Sequence, residues 1–215
     1  MRNIYEELEI PDEHRSTSIE KEEGEYIFNF IKSKVIKRTL ETGFAYGCSA
    51  AYIISATNAP HIAIDPYYEN YDNLGLRNLT NLGLQERLEL IKLPSHIALP
   101  QLLMKAISID FGFIDGGHLF DEIFIDWYYI DLLLNKNGHV MFHDRWLKAT
   151  QMIASFIRDN RKDFREVQTP IPNIYLFEKV GADDRDWRRF VEFKMHPPDT
   201  PAGVGKPRNQ RAISS

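Results

Sequence analysis

The stretch that most constrains the fold is a loop with two glycines, set between two apolar segments. Val35 to Leu40 is predicted to form a strand, and Ala50 to Ala56 is predicted to begin a helix. Between them, residues 41–49 read Glu-Thr-Gly-Phe-Ala-Tyr-Gly-Cys-Ser. In a strand–loop–helix unit the N–H groups at the helix N-terminus face a ligand, and glycines allow a sharp turn and a close backbone approach. The unit therefore predicts an α/β fold with a ligand site at this loop.

The spacing of the glycines and the acid before them restrict the ligand. Gly43 and Gly47 are four residues apart, and the loop lacks the GxGxxG pattern of dinucleotide-binding folds. Glu41 opens the loop, and its carboxylate would repel a phosphate but would suit a cationic or amine-bearing ligand. A glycine loop by itself is a weak signal, so an ordinary tight turn between strand and helix is the alternative interpretation.

Strand and helix patterns alternate along the rest of the chain. Further strands are predicted at 61–65, 88–93, 108–115, 139–142, 164–168 and 174–178. Further helices are predicted from near Ser18, after a capping box of Thr17 and Glu20, and at 71–82, 97–105, 119–134 and 149–161. This alternation predicts a Rossmann-like, doubly wound, mostly parallel seven-stranded sheet, and the last two strands predict a C-terminal antiparallel hairpin.

One domain is predicted at residues 18–181. A polar N-terminal segment, residues 1–17, precedes it, and a charged C-terminal extension, residues 182–215, follows it. Within the extension, 183–193 is compatible with a short helix. From about residue 197 the extension is rich in Pro, Gly, Arg and Ser with little apolar content, so that part is predicted to be disordered.

The composition argues against several classes of function. The 215 residues are 43% hydrophobic and carry a formal net charge of −5, which supports a full core and argues against nucleic acid as the main partner. The single cysteine, Cys48, excludes an intrachain disulfide and favours a reducing compartment. We recognise neither a signal peptide nor an apolar run near the ~20 residues of a membrane span, so a cytoplasmic protein without a membrane partner is expected. The choice between monomer and homo-oligomer stays open.

An acidic residue ends the predicted second strand. Asp65 lies 18 residues after Gly47, and in Rossmann-like sheets an acid about 20 residues after the loop accepts hydrogen bonds from ribose hydroxyls. Pro66, Tyr67 and Tyr68 follow, which places aromatic rings where an adenine could stack. The structural alternative is that Asp65 only caps the turn before Pro66.

Taken together, the motifs resemble those of a known enzyme family. The loop 41–49, Asp65, Ile114-Asp-Gly-Gly-His118 and Phe142-His-Asp144 occur in the order found in class I S-adenosylmethionine (SAM)-dependent methyltransferases of the small-molecule O-methyltransferase type. The resemblance covers roughly residues 16–180. It implies SAM as the cofactor and methyl transfer to a hydroxyl of a small-molecule acceptor.

The resemblance also implies which residues bind the cofactor. Glu41, Gly43 and Gly47 would face the methionine part of SAM, and Asp65 would hold the ribose. Ser95 and His96 stand where such enzymes contact the adenine. The full set of predicted cofactor-binding residues is Glu41, Gly43, Tyr46, Gly47, Ser49, Asp65, Pro66, Ser95, His96 and Asp115.

A second resemblance concerns metal-dependent, catechol-type O-methyltransferases. Those enzymes carry an Asp after strand four, a catalytic Lys three residues later, and two further metal ligands 28 and 29 residues after the Asp. Here Asp115 is followed by His118, and then by His143 and Asp144 at the spacing of the two ligands. The resemblance implies a divalent metal, Mg²⁺ or Mn²⁺ or similar, held by Asp115, His143 and Asp144. A histidine ligand shifts the preference away from Mg²⁺. In the alternative interpretation His143 packs, Asp144 caps a turn and no metal binds.

His118 stands at the position of the catalytic lysine. Imidazole has an ordinary pKa near ~6.5, so His118 could accept the proton of an attacking hydroxyl at neutral pH. Its structural alternative is a helix-capping histidine. Two other functions stay open: an NAD-binding Rossmann oxidoreductase, which the glycine spacing disfavours, and a non-catalytic module with the methyltransferase fold, which the acids at 41, 65 and 115 disfavour.

Overall fold

The computed structural model describes residues 3–196, and the segment from 197 for which disorder is predicted lies outside the described residues. Within them, seven strands form one sheet. The strands are β1 (Thr39–Thr42), β2 (His61–Ile64), β3 (Leu88–Ile91), β4 (Ile109–Ile114), β5 (Leu134–Phe142), β6 (Phe164–Glu166) and β7 (Tyr175–Lys179). The α-helices are α1 (Ile4–Glu7), α2 (Lys21–Lys32), α3 (Cys48–Ala56), α4 (Leu74–Asn81), α5 (Ser95–Met104), α6 (Phe120–Leu133) and α7 (Lys148–Asn160).

The order of the strands is β3-β2-β1-β4-β5-β7-β6. The first five strands run parallel, whereas β7 pairs antiparallel with both β5 and β6. The order reverses between β1 and β4, and such a switch point is where open α/β sheets bind ligands. The structure confirms the predicted mostly parallel seven-stranded sheet with a C-terminal antiparallel hairpin.

Helices cover both faces of the sheet. On one face α2, α3 and α4 pack over a core that includes Ile27, Ile53 and Phe113. On the other face α5, α6 and α7 enclose a second core that includes Ile114 and Trp127. Neighbours along a strand point to opposite faces, so Phe113 and Ile114 belong to different cores although they are adjacent in sequence.

Several predicted boundaries are wrong. Val35 is 90% exposed and β1 begins only at Thr39, because the residues before it carry charge and do not pair with β2. The capping box of α2 is formed by Glu20 and Glu23, one turn after the predicted one. The predicted helix 71–82 begins only at Leu74, after a 3-10 turn at Tyr68–Tyr71.

The segments that flank the predicted domain pack against it. Ile4, Leu8 and Ile10 are buried in the core on the α2 side. The N-terminal segment, although mostly polar in composition, therefore packs through its few apolar side chains. Within the described part of the C-terminal extension, residues 183–193 contain no helix. Instead the extension lies along α7, where the Asn160 side chain exchanges two hydrogen bonds of 3.0 Å with the backbone of Val191.

No helix between residues 3 and 196 combines the length and the apolar character that crossing a bilayer requires.

Candidate active site

A cavity of about 710 Å³ opens at the carboxyl ends of strands β1 to β5. Its size lies in the range of small-molecule sites. Eight of the ten residues predicted to bind the cofactor line it: Gly43, Tyr46, Ser49, Asp65, Pro66, Ser95, His96 and Asp115. The remaining two predicted residues, Glu41 and Gly47, lie outside its lining.

The two glycines of the loop after β1 have different tasks. Gly43 has a φ of +87°, and a Cβ there would lie 2.2 Å from the carbonyl oxygen of Asp115, so the close approach of β1 and β4 requires glycine. Gly47 has a φ of +70° at the N-cap of α3, and a Cβ there would lie 3.1 Å from the carbonyl oxygen of Gly75 in α4. Gly43 therefore shapes the cavity wall, whereas Gly47 allows α3 and α4 to pack.

Glu41 is buried inside the sheet. Its side chain is fully inaccessible, and one carboxylate oxygen lies 3.3 Å from Nε2 of His61 on the neighbouring strand. Burial raises the pKa of the Glu41 carboxyl, and the nearby His61 opposes that shift. The contact that the structure shows for Glu41 is therefore with His61, and its predicted contact with the methionine part of SAM stays a prediction.

Asp65 joins the end of β2 to the glycine loop. Its Oδ2 accepts hydrogen bonds from the backbone N–H groups of Phe44, at 3.0 Å, and Ala45, at 2.9 Å. Its Oδ1 accepts from the N–H of Tyr67 at 2.7 Å. The carboxylate thus holds the loop in place while lining the cavity, and its predicted bond to the ribose would use the remaining lone pairs.

His118 and Asp144 form an ion pair at the cavity wall. Nε2 of His118 lies 3.0 Å from Oδ2 of Asp144, and the His118 side chain is 53% exposed. The hydrogen bond that His118 donates to Asp144 raises the pKa of His118 above its ordinary value. Burial is the largest single influence and opposes ionisation of Asp144, but the bond and charge of His118, the charge of His143 and the bond from Trp146 together outweigh it and hold the Asp144 pKa well below its usual range. Trp146 donates a further hydrogen bond of 2.9 Å to Oδ1 of Asp144.

His143 lies in the interior between two carboxylates. Its Nδ1 lies 2.9 Å from Oδ1 of Asp115, and its Nε2 lies 3.1 Å from Oε2 of Glu23. Burial disfavours the imidazolium form, but the two carboxylates outweigh burial and raise the pKa of His143 well above its ordinary value. A protonated imidazole with both N–H groups engaged offers no lone pair to a metal.

The side chains whose ligand atoms converge differ in one residue from the metal set predicted from sequence, and that set stays a prediction. The groups whose ligand atoms converge, all within 4.8 Å of one another, are those of Asp115, His118 and Asp144. His143, the third predicted ligand, supports Asp115 from behind. Two carboxylates and one imidazole are a donor set that suits a divalent cation, so the residues present fit the metal that the resemblance implies.

Sequence reasoning missed three polar residues at the site. Glu23 of α2 reaches His143, and Asn173, in the loop before β7, donates to Oε1 of Glu23 at 3.0 Å. Asp126 of α6 is buried and lines the cavity. For Asp126 the sequence did carry a signal, because a carboxylate stands there between Ile123 and Trp127, two positions that the helical pattern predicts to be buried.

Of the two residues after Asp144, only Trp146 lines the cavity. Arg145 is buried and lies over the ring of Tyr175, with its guanidinium carbon 4.5 Å from the ring centroid. Trp146 therefore contributes to the cavity wall, whereas Arg145 packs against a ring of strand β7 beside it.

The charge of the cavity wall is one-sided. The carboxylates that line it are Asp65, Asp115, Asp121, Glu122, Asp126 and Asp144, together with the imidazoles of His96, His118 and His143. No lysine or arginine among residues 3–196 lines the cavity. Such a wall favours a ligand with positive charge or with hydrogen-bond donors and disfavours an anion.

The sequence of residues 40–145 matches the family described as "Methyltransferase domain". This segment runs from β1 to just after β5 and contains the loop 41–49, Asp65, Asp115, His118 and Asp144. A comparison with proteins of curated function gives no significant match.

Solved structures share the fold at low sequence identity. The O-methyltransferase TomG from Streptomyces achromogenes, involved in tomaymycin synthesis and solved in complex with SAM, has a TM-score of 0.68 and 15% identity, covering 84% of this chain and 91% of that one. The methyltransferase PaMTH1 from Podospora anserina, bound to S-adenosylhomocysteine (SAH), has a TM-score of 0.68 and 17% identity, over 84% and 89%. An O-methyltransferase from Bacillus cereus, in complex with SAH, has a TM-score of 0.63 and 14% identity, over 77% and 83%.

Proposed function

We propose that the chain, whose residues 40–145 match a methyltransferase domain, is a class I SAM-dependent methyltransferase that methylates a hydroxyl oxygen of a small-molecule acceptor. The observation that carries the proposal is the His118–Asp144 pair, which lies at the wall of the same cavity as the glycine loop and Asp65. Two of the similar structures are O-methyltransferases by name, which supports oxygen as the atom methylated.

The cofactor site of this proposal is the part of the cavity beside β1, β2 and β3. Bound SAM supplies a methyl group on a positively charged sulfur. The acidic wall suits that charge, and Gly43 allows the close approach of β1 to β4 that shapes the wall. Asp65 would bind the ribose, and Ser95 and His96 would face the adenine.

The acceptor hydroxyl must lose its proton as it attacks, and His118 is the residue placed to take it. Asp144 is an acceptor only, so it fixes the proton of His118 on Nε2 and leaves the lone pair on Nδ1. Because the pKa of His118 is raised, the neutral base predominates only at a pH above that raised value. Trp146 would contribute apolar surface for the acceptor.

A divalent cation is the second component of the proposal. Asp115, His118 and Asp144 would hold it. A bound cation lowers the pKa of a coordinated hydroxyl, which would reduce the need for a separate base. His118 would then serve as a ligand, so the metal-dependent and the metal-free versions of the site give this residue different tasks.

Binding of the cofactor is the first test. Titration calorimetry with SAM, SAH and NAD should show binding of the first two and none of NAD. Binding of NAD in place of SAM would support the oxidoreductase alternative. Failure to bind SAM or SAH at millimolar concentration would overturn the proposal and support a non-catalytic module.

Methyl transfer to a panel of neutral phenols and sugars tests the chemistry. In the metal-free version His118→Ala should lower turnover by about 10²–10⁴-fold, the usual size of a general-base effect, and EDTA should have no effect. In the metal-dependent version EDTA should abolish activity and Mg²⁺ or Mn²⁺ should restore it.

The matched control is His196→Ala. His196 also pairs with an aspartate, Asp159 at 2.9 Å, and is similarly exposed, but it lies on the C-terminal extension. If neither EDTA nor His118→Ala changes the activity, then Asp115, His118 and Asp144 take no part in the reaction.

A further inference from the structure

A carboxylate is buried in the interior behind the cavity wall. Glu23, in the first turn of α2, is only 4% exposed and is not among the residues that line the cavity. It caps α2 by accepting a hydrogen bond from the backbone of Glu20, but capping does not require burial. Glu122 of α6 accepts the same kind of bond, from the backbone of Leu119, at an exposed position. Because burying a carboxylate costs free energy, the burial of Glu23 needs a second reason.

Three donors converge on the two oxygens of Glu23. Its Oε2 accepts from the backbone N–H of Glu20 at 2.7 Å and lies 3.1 Å from Nε2 of His143. Its Oε1 accepts from Nδ2 of Asn173 at 3.0 Å. A carboxylate can serve all three donors, whereas a carboxamide would turn its own N–H groups toward at least one of them. Position 23 therefore requires an acid and not simply a polar side chain of the same size.

His143 connects Glu23 to the cavity. One ring nitrogen faces Glu23, and the other, Nδ1, lies 2.9 Å from Oδ1 of Asp115, so the ring is held at both ends. Asp115 lines the cavity with 20% of its side chain exposed. Its second oxygen, Oδ2, has no hydrogen bond from any residue that the structure describes. The contact with His143 thus fixes one oxygen of Asp115 and leaves the other for a ligand.

Asp115 lies where the methyl group is transferred in the proposed function. One ligand atom each of Asp115, His118 and Asp144 lies within 4.8 Å of the other two. The acceptor hydroxyl must be within hydrogen-bond reach of His118, and the methyl group and its sulfur must be in line with the attacking oxygen. The positively charged sulfur of SAM is therefore close to Asp115, whereas SAH has a neutral sulfur at the same place.

We propose that Glu23 is a positioning residue that raises the affinity of the site for SAM relative to SAH. It acts through His143, which holds the Asp115 carboxylate toward the charged sulfur. The inference rests on the proposed function, since it requires that the cavity binds SAM. A carboxylate near the sulfur attracts the charged cofactor and gives the neutral product no such stabilisation. The contact between Glu23 and His143 thereby favours the release of SAH after methyl transfer.

The test compares the dissociation constants of SAM and SAH by titration calorimetry, with EDTA present to keep the site free of cations. The two ligands differ by one methyl group and its charge, so a general loss of structure weakens both and leaves the ratio of their constants unchanged. In Glu23→Gln, SAM should lose at least about fivefold more affinity than SAH, because an attraction between nearby charges is weakened. The matched control is Glu22→Gln, at an exposed position of the same helix, which should keep the parent's ratio.

Two further variants show whether the effect passes through Asp115. Asp115→Asn should shift the ratio in the same direction, and Glu23→Gln added to it should cause no further shift. Asn173→Ala leaves every charge in place and removes one hydrogen bond to Glu23, so it should cause a smaller shift. This last variant tests the inference even if Glu23→Gln does not fold.

Three results would overturn the inference while both ligands still bind the parent. The first is an unchanged ratio in Glu23→Gln, or in Asn173→Ala if Glu23→Gln does not fold. The second is an equal shift in Glu22→Gln, which would assign the preference to the general charge of the protein. The third is a full further shift in the double variant, which would show that Glu23 acts without Asp115. Failure of the parent to bind SAM or SAH would overturn the proposed function as well, so the two failures are distinguishable.

Discussion

His118 and His143 show how strongly the surroundings of a residue decide its chemistry. His118 is half exposed at the cavity wall and bonded to one carboxylate, so one ring nitrogen is left for an acceptor or a metal. His143 is buried and bonded on both sides, to Asp115 and Glu23, so it holds Asp115 in place and has no free nitrogen. The same side chain keeps a free ring nitrogen in one position and has none in the other.

The first prediction at this scale concerns the pKa of His118. Removing the negative charge of Asp144 in Asp144→Asn should lower that pKa toward the ordinary value, because the carboxylate stabilises the imidazolium form. Titration of the His118 ring resonances by NMR measures it. Asp159→Asn, which removes a carboxylate bonded to the distant His196, should leave the pKa of His118 unchanged. An unchanged value in Asp144→Asn would refute the pairing.

The second prediction concerns Asp65. Asp65→Ala should weaken SAH binding by roughly 1–3 kcal/mol, the cost of leaving polar groups unpaired. It should also lower the melting temperature without ligand, since the N–H groups of Phe44 and Ala45 lose their acceptor. Calorimetry and thermal unfolding separate the two effects. The control is Asp72→Asn, at an exposed position nearby in the sequence. If Asp65→Ala binds SAH as tightly as this control, the assignment of Asp65 to the ribose is wrong.

At the scale of elements, α2 links the N-terminal part of the chain to the active site. Its first turn supplies both the Glu20–Glu23 capping box and, through Glu23, the bond to His143. Gly24 follows directly and lets the helix lie against Tyr52 of α3, because a Cβ at residue 24 would stand 2.2 Å from the Tyr52 ring. The glycine that weakens the helix locally is therefore required by its packing.

The prediction for this element is that Gly24→Ala destabilises the fold. Alanine gains up to ~1 kcal/mol in helix propensity, but the overlap with Tyr52 forces α2 and α3 apart, which costs about 1–3 kcal/mol and should prevail. Urea unfolding measures the difference. Asn29→Ala, at an exposed position of the same helix, should change stability by no more than about 0.5 kcal/mol. If Gly24→Ala and Asn29→Ala are equally stable, the prediction is wrong, and α2 can move away from Tyr52 without a cost in stability.

At the scale of the whole molecule, the two cores on the faces of one sheet bury ionisable groups that respond to pH. His139 of β5 is buried, with Phe30 packed edge-on against its ring at a centroid distance of 5.0 Å. Burial, with a smaller contribution from Lys34, lowers the pKa of His139 to about 4, and Glu178 only partly opposes it. The folded protein therefore holds this histidine neutral at a pH where the unfolded chain is protonated.

The consequence is a loss of stability in mild acid. Between pH ~6.5 and 4 the unfolded chain binds more protons at this residue, so the free energy of unfolding falls as the pH falls through that window. Relative to His139→Gln, which cannot titrate, the parent should lose up to about 3 kcal/mol across it. Denaturant unfolding at several pH values measures the difference. A difference that does not vary with pH would contradict the depressed pKa.

The sequence by itself determined the sheet and much of the cavity wall. Alternating strand and helix patterns are local, and the acids that follow strands, Asp65, Asp115 and Asp144, had to meet at one edge because parallel strands end together. Gly43 could also be recognised, since a tight strand–helix turn requires glycine. These features depend on neighbours within a few positions, which a sequence shows directly.

Only the tertiary structure decided which side chains face the cavity and which are buried behind it. Glu23 meets His143 across 120 positions and Asn173 across 150, and Glu41 pairs with His61 through the register of β1 and β2. Such contacts depend on strand register and on how a distant helix packs, and neither leaves a local pattern. His118 and His143 differ for the same reason, because burial rather than spacing decides which of the two imidazoles keeps a free nitrogen.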